Sequence, residues 1–255
     1  MAAALADHFD SVLARLRAAP RLGVFSDFDG TLVPIVDDPM ACRACDSVRG
    51  SLARLRERPN AVVGIVSGRD LADLVPRIGV PGLHFAGNHG LEIDSPSESF
   101  RHPEAVRLRE TLNDIVSKAE AAASNVPGAW VQHKGLTASV HYRQVDPSRV
   151  LDLVQLIVPL VGASPFTLRR GKAVLEVRPN VEWNKGHAID HMMNGFQEPA
   201  TAVFLGDDET DEDAFVRLKG HVTIAVGDRP DTAAAYRARD PIEVREFLAA
   251  VARGR

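Results

Sequence analysis

The sequence predicts an α/β fold with a predominantly parallel sheet, into which a smaller α+β unit is inserted. Short apolar runs each end in a turn containing Asp, Ser, Gly or Asn, and they lie at residues 22–25, 61–66, 84–85 and 201–205. Such runs are typical of buried strands in a parallel sheet. The pattern changes near residue 95 and returns near residue 182. We therefore expect a core of residues 1–94 and 182–255 and an insert of residues 95–181, which 255 residues can accommodate.

Composition and charge argue against several classes of protein. The formal net charge is −4 and no run of Lys or Arg stands out, so a nucleic acid partner is not expected. No apolar stretch approaches the roughly 18 residues that a membrane helix needs. The first 21 residues lack the basic start and the long apolar centre of a secretory signal. We interpret Cys42 and Cys45 as reduced thiols without a function, and we expect a soluble, cytoplasmic monomer.

The first strand follows an amphipathic helix, predicted from apolar residues at helical spacing between Leu5 and Leu16. It leads into Asp27-Phe28-Asp29-Gly30-Thr31-Leu32. Side chains two residues apart on an extended chain can project the same way, and Gly30 allows a sharp turn. Two carboxylates would then stand together where open α/β sheets bind ligands, and they would need a divalent cation or a shared proton. The alternative is an ordinary turn, in which Asp and Gly are common.

Two further strand ends carry polar residues. The strand at residues 61–66 ends in Ser67-Gly68-Arg69, before a predicted helix. The Ser67 hydroxyl and free backbone N–H groups could bind a phosphoryl oxygen, although Ser67 could instead cap the helix. The strand at residues 84–85 leads into a loop in which two glycines frame Asn88 and His89. This loop could line the site, or it could be a turn with a capping amide.

The insert is predicted to contain helices at residues 103–123 and 147–161 and strands at 129–132, 136–142, 166–168 and 173–177. An inserted unit beside an active site would act as a lid that excludes water. Polar residues lie on or next to these strands: Lys134, His141, Arg143 and Glu176. They could bind a ligand, or they could form the solvated face of the sheet.

The last core strands bring the densest group of acidic residues. The strand at residues 201–205 is followed by Gly206-Asp207-Asp208-Glu209-Thr210-Asp211. Acidic residues favour a helix N-terminus, but this does not explain the Gly-Asp-Asp at the strand end. Carboxylates at that place predict a hard cation with oxygen ligands, and Mg²⁺ is the natural choice.

Together these motifs resemble the haloacid dehalogenase-like (HAD) phosphatases, and their order along the chain is that of the family. The resemblance implies a Rossmann-like HAD core with an inserted α+β cap. It implies that Asp27 attacks phosphorus and forms an aspartyl-phosphate, while Asp29 acts as general acid and base. It also implies that Ser67 and Lys185 hold the phosphoryl group.

The resemblance further implies a Mg²⁺ cofactor. Asp27, the backbone carbonyl of Asp29, and Asp207 would be direct ligands. Asp208 and Asp211 could bind the ion directly, or they could act through water or through a hydrogen bond to a ligand.

Motifs in both parts narrow the resemblance to the trehalose-6-phosphate phosphatase branch, whose enzymes complete trehalose biosynthesis. Besides the segments above, they are Lys134-Gly135-Leu136, His141-Tyr142-Arg143, Leu175-Glu176-Val177-Arg178-Pro179 and Trp183-Asn184-Lys185-Gly186. The resemblance implies that a phosphorylated disaccharide is contacted by Arg69, Asn88, His89, Lys134, His141, Arg143 and Glu176. Gln132-His133 departs from the pattern, because acidic residues are more usual there, and this affects substrate detail more than catalysis.

Two alternatives stay open from the sequence. Phosphatases of the sucrose-phosphate or glucosyl-phosphoglycerate type share the core motifs and differ in the cap. A catalytically silent regulatory module on the same fold is the other alternative, although it would not need the complete set of catalytic groups. Since no synthase segment precedes the motifs, we expect a stand-alone enzyme.

Overall fold

A computed structural model describes residues 2–36, 38–194 and 200–254. The chain forms two compact units. The core unit is Met1–Phe100 with Trp183–Arg255, and the inserted unit is Arg101–Glu182. No helix in the described ranges combines the length and the apolar character required to cross a membrane.

The strands and helices alternate through most of the chain. In order, the strands are β1 (Ala3–Ala4), β2 (Leu22–Ser26), β3 (Ala61–Val66), β4 (His84–Gly87), β5 (Glu92–Asp94), β6 (Ser99–Arg101), β7 (Trp130–His133), β8 (Ala138–His141), β9 (Phe166–Gly171), β10 (Val174–Pro179), β11 (Thr201–Gly206), β12 (Val222–Val226) and β13 (Tyr236–Ala238). The α-helices are α1 (Leu5–Ala18), α2 (Asp46–Arg56), α3 (Leu71–Ile78), α4 (Pro103–Arg107), α5 (Arg109–Ala123), α6 (Val150–Val161), α7 (Lys185–Met193), α8 (Glu209–Arg217) and α9 (Pro241–Ala252).

Among the described residues, nine strands form one sheet in the order β1-β13-β12-β11-β2-β3-β4-β5-β6. Across the sheet in this order, every pair of neighbouring strands from β1 as far as β4 is parallel, and β5 is antiparallel to β4. The register pairs Ser26 of β2 with Leu205 of β11 on one side and with Ile65 of β3 on the other. These three central strands therefore end close together, and the predicted parallel α/β fold is confirmed.

The core sheet is covered on both faces, as its apolar strands require. Val24 lies in one apolar cluster with residues of α1, α2, α3 and α9, among them Leu16, Leu52 and Phe247. The next residue, Phe25, lies in the second cluster, with residues of α7 and α8. Side chains alternate across a strand, so one strand supplies both layers.

The inserted unit has an antiparallel sheet in the order β7-β8-β10-β9. Ala138 and Val140 of β8 are buried in apolar clusters with residues of α5 and α6. Ser139 and His141 alternate with them, so they belong to the face without helices. The separate α+β unit predicted from the sequence is present, with α4 and α5 where one continuous helix was expected.

The short strands on the two sides of the sheet, β1 and β13 on one and β5 and β6 on the other, were not predicted. β5 begins two residues after the glycine that ends the loop with Asn88 and His89, and β13 has three residues. Strands of two or three residues are too short to show a period of two in the sequence. Their pairing depends on the neighbouring strand, which only the tertiary structure supplies.

Candidate active site

Three neighbouring strand ends present the central polar groups. Asp27 follows β2, Ser67 follows β3, and Asp207 follows β11. The backbone N–H of Asp27 donates to the Leu205 carbonyl at 2.8 Å, which extends the pairing of β2 and β11 to the site itself. Parallel strands thus bring residues 180 positions apart in the chain to one edge of the sheet.

Three buried carboxylates form the centre of this edge. Oxygen atoms of Asp27, Asp207 and Asp211 all lie within 4.8 Å of one another. The residues are 5%, 7% and 0% exposed, respectively. Three anions at this spacing repel one another in a place that water hardly reaches, so the arrangement requires positive charge.

Lys185 supplies one positive charge. Asn184 caps α7 by accepting a hydrogen bond from the His187 backbone N–H at 3.2 Å, which makes Lys185 the first residue of the helix. The Lys185 ammonium donates to Asp27 Oδ1 and to Asp211 Oδ1, each at 2.7 Å. Although burial opposes the charged form, Asp211 and Asp27 raise the pKa of Lys185 above its ordinary value, so the ammonium stays charged.

One ammonium does not neutralise three carboxylates. Burial raises the pKa of Asp27 well above its ordinary value; Lys185 opposes this effect, while Asp211 and Asp207 add to it. A divalent cation beside Asp27 would reverse the balance and favour the ionised carboxylate. The charge and the oxygen donors of the cluster therefore fit a metal such as Mg²⁺.

Asp211 has a supporting position within this cluster. Its Oδ2 accepts from the backbone N–H groups of Asp207 and Asp208, both at 3.0 Å, and its Oδ1 accepts from Lys185. Gly206 makes room for it, because a Cβ there would lie 2.3 Å from Asp211 Cγ. Both oxygens of Asp211 are thus already used to hold Lys185 and the loop that carries Asp207.

Asp208 lies outside the group of three carboxylates. It is the N-cap of α8, and its Oδ1 accepts from the Glu209 backbone N–H at 2.7 Å. Asp207 is oriented instead by Thr31, whose hydroxyl donates to Asp207 Oδ1 at 3.3 Å. Gly30, at φ +87°, passes so close that a Cβ would meet Asp207 Oδ2 at 2.1 Å.

Asp29 points to a different partner from Asp27. Its two carboxylate oxygens accept from Arg69, Oδ2 from Nε at 2.6 Å and Oδ1 from Nη2 at 2.7 Å. Arg69 was expected to contact substrate, and the structure places its guanidinium on Asp29 and on Asp73. The Asp29 side chain is 36% exposed, whereas that of Arg69 is 10% exposed.

Ser67 and the following loop complete this edge of the core unit. Ser67 is 1% exposed, and its hydroxyl oxygen accepts from the Arg69 backbone N–H at 3.2 Å. Asn88 is fully buried, and its amide donates to Glu92 Oε1 at 2.7 Å, so it supports the loop from inside. His89 packs over Gly68, where a Cβ would lie 2.5 Å from its ring.

In the inserted unit, Lys134, His141 and Glu176 lie on or beside the face of the sheet without helices. Lys134 Nζ is 3.9 Å from Glu176 Oε1, and both side chains are largely buried. The ring of His141 stacks on Trp130 with 3.9 Å between the ring centroids. Arg143 lies beyond β8, and its guanidinium donates to the Lys172 carbonyl at 3.2 Å.

Sequence reasoning missed several residues that hold this machinery. Thr31 belongs to the first motif, but its contact with Asp207 depends on the pairing of β2 with β11. Asp73 and Arg77 continue the spacing of four residues that begins at Arg69, a helical pattern of alternating charge that the sequence does show. Arg178 hydrogen-bonds Glu176, and its place two residues away on one strand was a usable signal.

The two cysteines are free. Burial and the neighbouring Asp29 carboxylate raise the pKa of the Cys42 thiol. Cys45 is exposed at the start of α2. Although the partial burial of its thiol acts in the opposite direction, hydrogen bonds from Ser47 and Val48 and the nearby Arg245 lower its pKa.

Comparisons with known sequences match most of the chain. The trehalose-phosphatase family model matches residues 25–241. The trehalose-phosphate phosphatase of Mycobacterium marinum is 36% identical over 245 residues, which cover 91% of this chain and 62% of the relative. The trehalose-phosphate phosphatase of Mycobacterium avium is 37% identical over 238 residues, covering 88% and 60%. The chain thus spans about three fifths of the length of these curated relatives.

Solved structures of trehalose-6-phosphate phosphatases share the fold of this chain. The C-terminal domain of a trehalose-6-phosphate phosphatase from C. albicans superposes with a TM-score of 0.84 at 26% identity, and the match covers 99% of this chain and 98% of that one. A trehalose-6-phosphate phosphatase of Aspergillus fumigatus matches with a TM-score of 0.68 at 27% identity, over the full length of both chains. The carboxylate and lysine cluster, the HAD fold and the family match over most of the sequence agree: this chain belongs to the trehalose-phosphatase family.

Proposed function

We propose that this protein is a Mg²⁺-dependent phosphatase that hydrolyses trehalose 6-phosphate to trehalose and phosphate. The observation that carries the proposal is the buried group of Lys185 with Asp27, Asp207 and Asp211 at the sheet edge. Such a group has a high electrostatic cost unless the site also binds a cation. Membership of the trehalose-phosphatase family supports the choice of substrate.

In this proposal Asp27 and Asp207 hold Mg²⁺, together with the backbone carbonyl of Asp29. Asp211 holds Lys185 and the loop carrying Asp207, because both of its oxygens already accept hydrogen bonds. Asp208 contributes as the helix cap that fixes this loop. When bound, Mg²⁺ offsets the negative charge of the phosphate and of the carboxylates around it.

The first chemical step takes place on Asp27. A carboxylate oxygen of Asp27 forms a bond to phosphorus while the bond between phosphorus and the sugar oxygen breaks. Asp29 gives its proton to the departing sugar oxygen. Ser67 and Lys185 hold phosphoryl oxygens, because phosphoryl transfer depends mainly on positioning and electrostatic stabilisation.

The second step returns the enzyme to its first state. Water forms a bond to phosphorus, the bond to Asp27 breaks, and Asp29 takes the proton that the water loses. Phosphate leaves and Asp29 is again protonated. Asp27→Asn removes the nucleophile and abolishes turnover, while the hydrogen bond to Lys185 can still form through the amide oxygen.

Each unit, taken by itself, has polar side chains that we propose contact the sugar. In the inserted unit they are Lys134, His141, Arg143 and Glu176. Lys134 and Glu176 offer a donor and an acceptor at 3.9 Å, a spacing suited to neighbouring sugar hydroxyls. In the core unit they are His89, which is half-buried, and Arg69, which acts through Asp29.

A panel of phosphorylated sugars, each with Mg²⁺ and with EDTA, tests the proposal by phosphate release. We expect trehalose 6-phosphate to be preferred and EDTA to abolish release. A preference for sucrose phosphate or glucosyl phosphoglycerate would assign the chain to a related sugar-phosphate phosphatase. No Mg²⁺-dependent release from any member would instead favour a catalytically silent module.

The proposal also includes the cellular context of the enzyme. Its partner is a phosphorylated disaccharide, with neither nucleic acid nor a membrane involved, and it acts as a cytoplasmic monomer. Two free cysteines are consistent with a reducing compartment. Light scattering coupled to size-exclusion chromatography measures the mass in solution, and a mass of twice 27.6 kDa would contradict the monomer.

A further inference from the structure

A row of four charged side chains runs from Asp29 into the core unit, and only its first two members have a role in the reaction proposed above. Asp29 is paired with Arg69, Arg69 with Asp73, and Asp73 with Arg77. The exposed fractions of these side chains fall from 36% at Asp29 to 10%, 15% and 3%. We propose that Asp73 and Arg77 are positioning residues, which fix Arg69 so that it can hold the acid/base carboxyl group of Asp29.

The contacts of Arg69 define one orientation of its guanidinium. Nε and Nη2 bind the two oxygens of Asp29, Nη1 binds Asp73 Oδ2 at 2.6 Å, and Nη2 also donates to the Pro39 carbonyl at 2.9 Å. The guanidinium carbon lies 5.5 Å from the centre of the Phe28 ring. A planar guanidinium held on several sides has little freedom to turn, so the place of Asp29 is set as well.

Arg77 anchors the far end of the row. It donates from Nε to Asp73 Oδ1 at 2.8 Å and from Nη1 to the carbonyls of Met40 and Cys42 at 2.7 and 2.9 Å. These carbonyls belong to the segment between the Asp29 turn and α2. Arg69 precedes the N-cap of α3, Asp73 lies in its first turn and Arg77 in its last, each four residues from the next. Neighbouring turns of one helix thus hold both the segment and the acid/base residue.

The arrangement leaves Asp29 able to react. A carboxylate has about four lone-pair positions, and Arg69 occupies two of them. The Asp29 side chain is also 36% exposed, so it is not enclosed by its partners. Loss of Asp73 would release one side of Arg69 and leave the buried Arg77 without its carboxylate. Asp29 would then be less well placed to give its proton to a departing alcohol.

Leaving-group dependence separates this role from a merely structural one. A sugar alkoxide needs the proton from Asp29 in order to depart, whereas the nitrophenolate of para-nitrophenyl phosphate departs without it. For Asp73→Asn we expect kcat/KM on the sugar phosphate to fall by about 10- to 100-fold, as general acid catalysis is lost in part. We expect kcat/KM on para-nitrophenyl phosphate to change little, because this constant covers only the steps up to release of the alcohol and not the later step in which Asp29 activates water. Arg69→Lys keeps the charge without the planar fork and is expected to show the same pattern.

Asp46→Asn is the matched control. Asp46 also pairs with an arginine, Arg49, at 2.5 Å, but its side chain is 95% exposed. We expect this variant to keep the wild-type ratio of the two activities. Because the ratio is taken on one sample, a variant that is only partly folded loses both activities together and does not imitate the expected result.

The inference rests on the proposed function, yet the two can fail separately. The ratio is measured with the alkyl sugar phosphate that the wild type hydrolyses best. If the ratio for Asp73→Asn is the same as for the wild type, the positioning role is overturned. Wild-type enzyme that hydrolyses another sugar phosphate but not trehalose 6-phosphate overturns the substrate assignment and leaves the positioning role to be decided by the ratio.

Discussion

Replacing Lys185 by Met removes the buried cation on which the three carboxylates depend. At 2.7 Å and with an effective dielectric constant of about 20, each contact of the ammonium with Asp27 or Asp211 has a Coulomb energy of about 6 kcal/mol. Much of this offsets the desolvation of the buried charges, so the cost of removing one partner is about 3–5 kcal/mol. In EDTA we expect Lys185→Met to melt roughly 10 °C below the wild type, since 1 kcal/mol shifts a domain of this size by about 2–4 °C.

The dependence of the melting temperature on pH and on Mg²⁺ distinguishes an electrostatic cause of this destabilisation from a packing effect. Burial raises the folded-state pKa of Asp27, and loss of Lys185 removes the charge that opposes this effect. A raised carboxyl pKa means that stability is lost as the pH rises above the value of the unfolded chain, so the gap to the wild type should widen from mildly acidic to neutral pH. Added Mg²⁺ binds only the folded cluster and should stabilise the variant more than the wild type.

Thermal unfolding followed by circular dichroism, with and without Mg²⁺, measures these differences. Lys219→Met is the control, because it makes the same substitution at an exposed position at the end of α8. We expect it to change the free energy of unfolding by less than about 0.5 kcal/mol. If Lys185→Met melts with the wild type at neutral pH in EDTA, the three carboxylates do not depend on Lys185 and the electrostatic account of the site is wrong.

Three further predictions concern other parts of the core unit. Gly30→Ala should destabilise the protein by about 1–3 kcal/mol, because an L residue is strained at φ +87° and its Cβ would meet Asp207; Gly50→Ala, in α2 with nothing within 4 Å of the added Cβ, should instead stabilise by about 0.4–1 kcal/mol. Urea unfolding of both variants measures this, and an equal effect at the two glycines would contradict it. Burial raises the pKa of Asp73, but hydrogen bonds and charge from two arginines outweigh this effect and lower the pKa below 3.8. The contribution of Asp73 to stability is therefore present above that pH and is lost as the pH falls further. The stability difference between wild type and Asp73→Asn should therefore shrink in acid, and a difference independent of pH would refute the assignment. Iodoacetamide should alkylate Cys45 well before the buried second thiol, because Cys45 is exposed and its pKa is lowered; mass spectrometry of native and denatured protein reads the sites, and equal native rates would contradict the expectation.

Much of the fold was predictable because its signals are local. The buried strands before Asp27, Ser67 and Asp207 are short apolar runs with a turn residue at the end, and a chain of 255 residues places them in one core. The motifs predicted that Asp27, Asp207 and Lys185 belong to one site, and the structure brings these three side chains together. The strands of two or three residues on the two sides of the sheet carried no such signal.

Within the candidate site, the sequence by itself determined the types of group, while their partners depended on the tertiary structure. Asp27 and Asp29 are two residues apart, yet one binds the ammonium of Lys185 and the other the guanidinium of Arg69. Asp208 and Asp211 have the same side chain, yet one caps a helix and the other is buried under Lys185. The physical reason is that a charged group is stabilised by whatever lies within a few ångströms of it in space. Those neighbours are chosen by strand register and helix placement, which no short stretch of sequence contains.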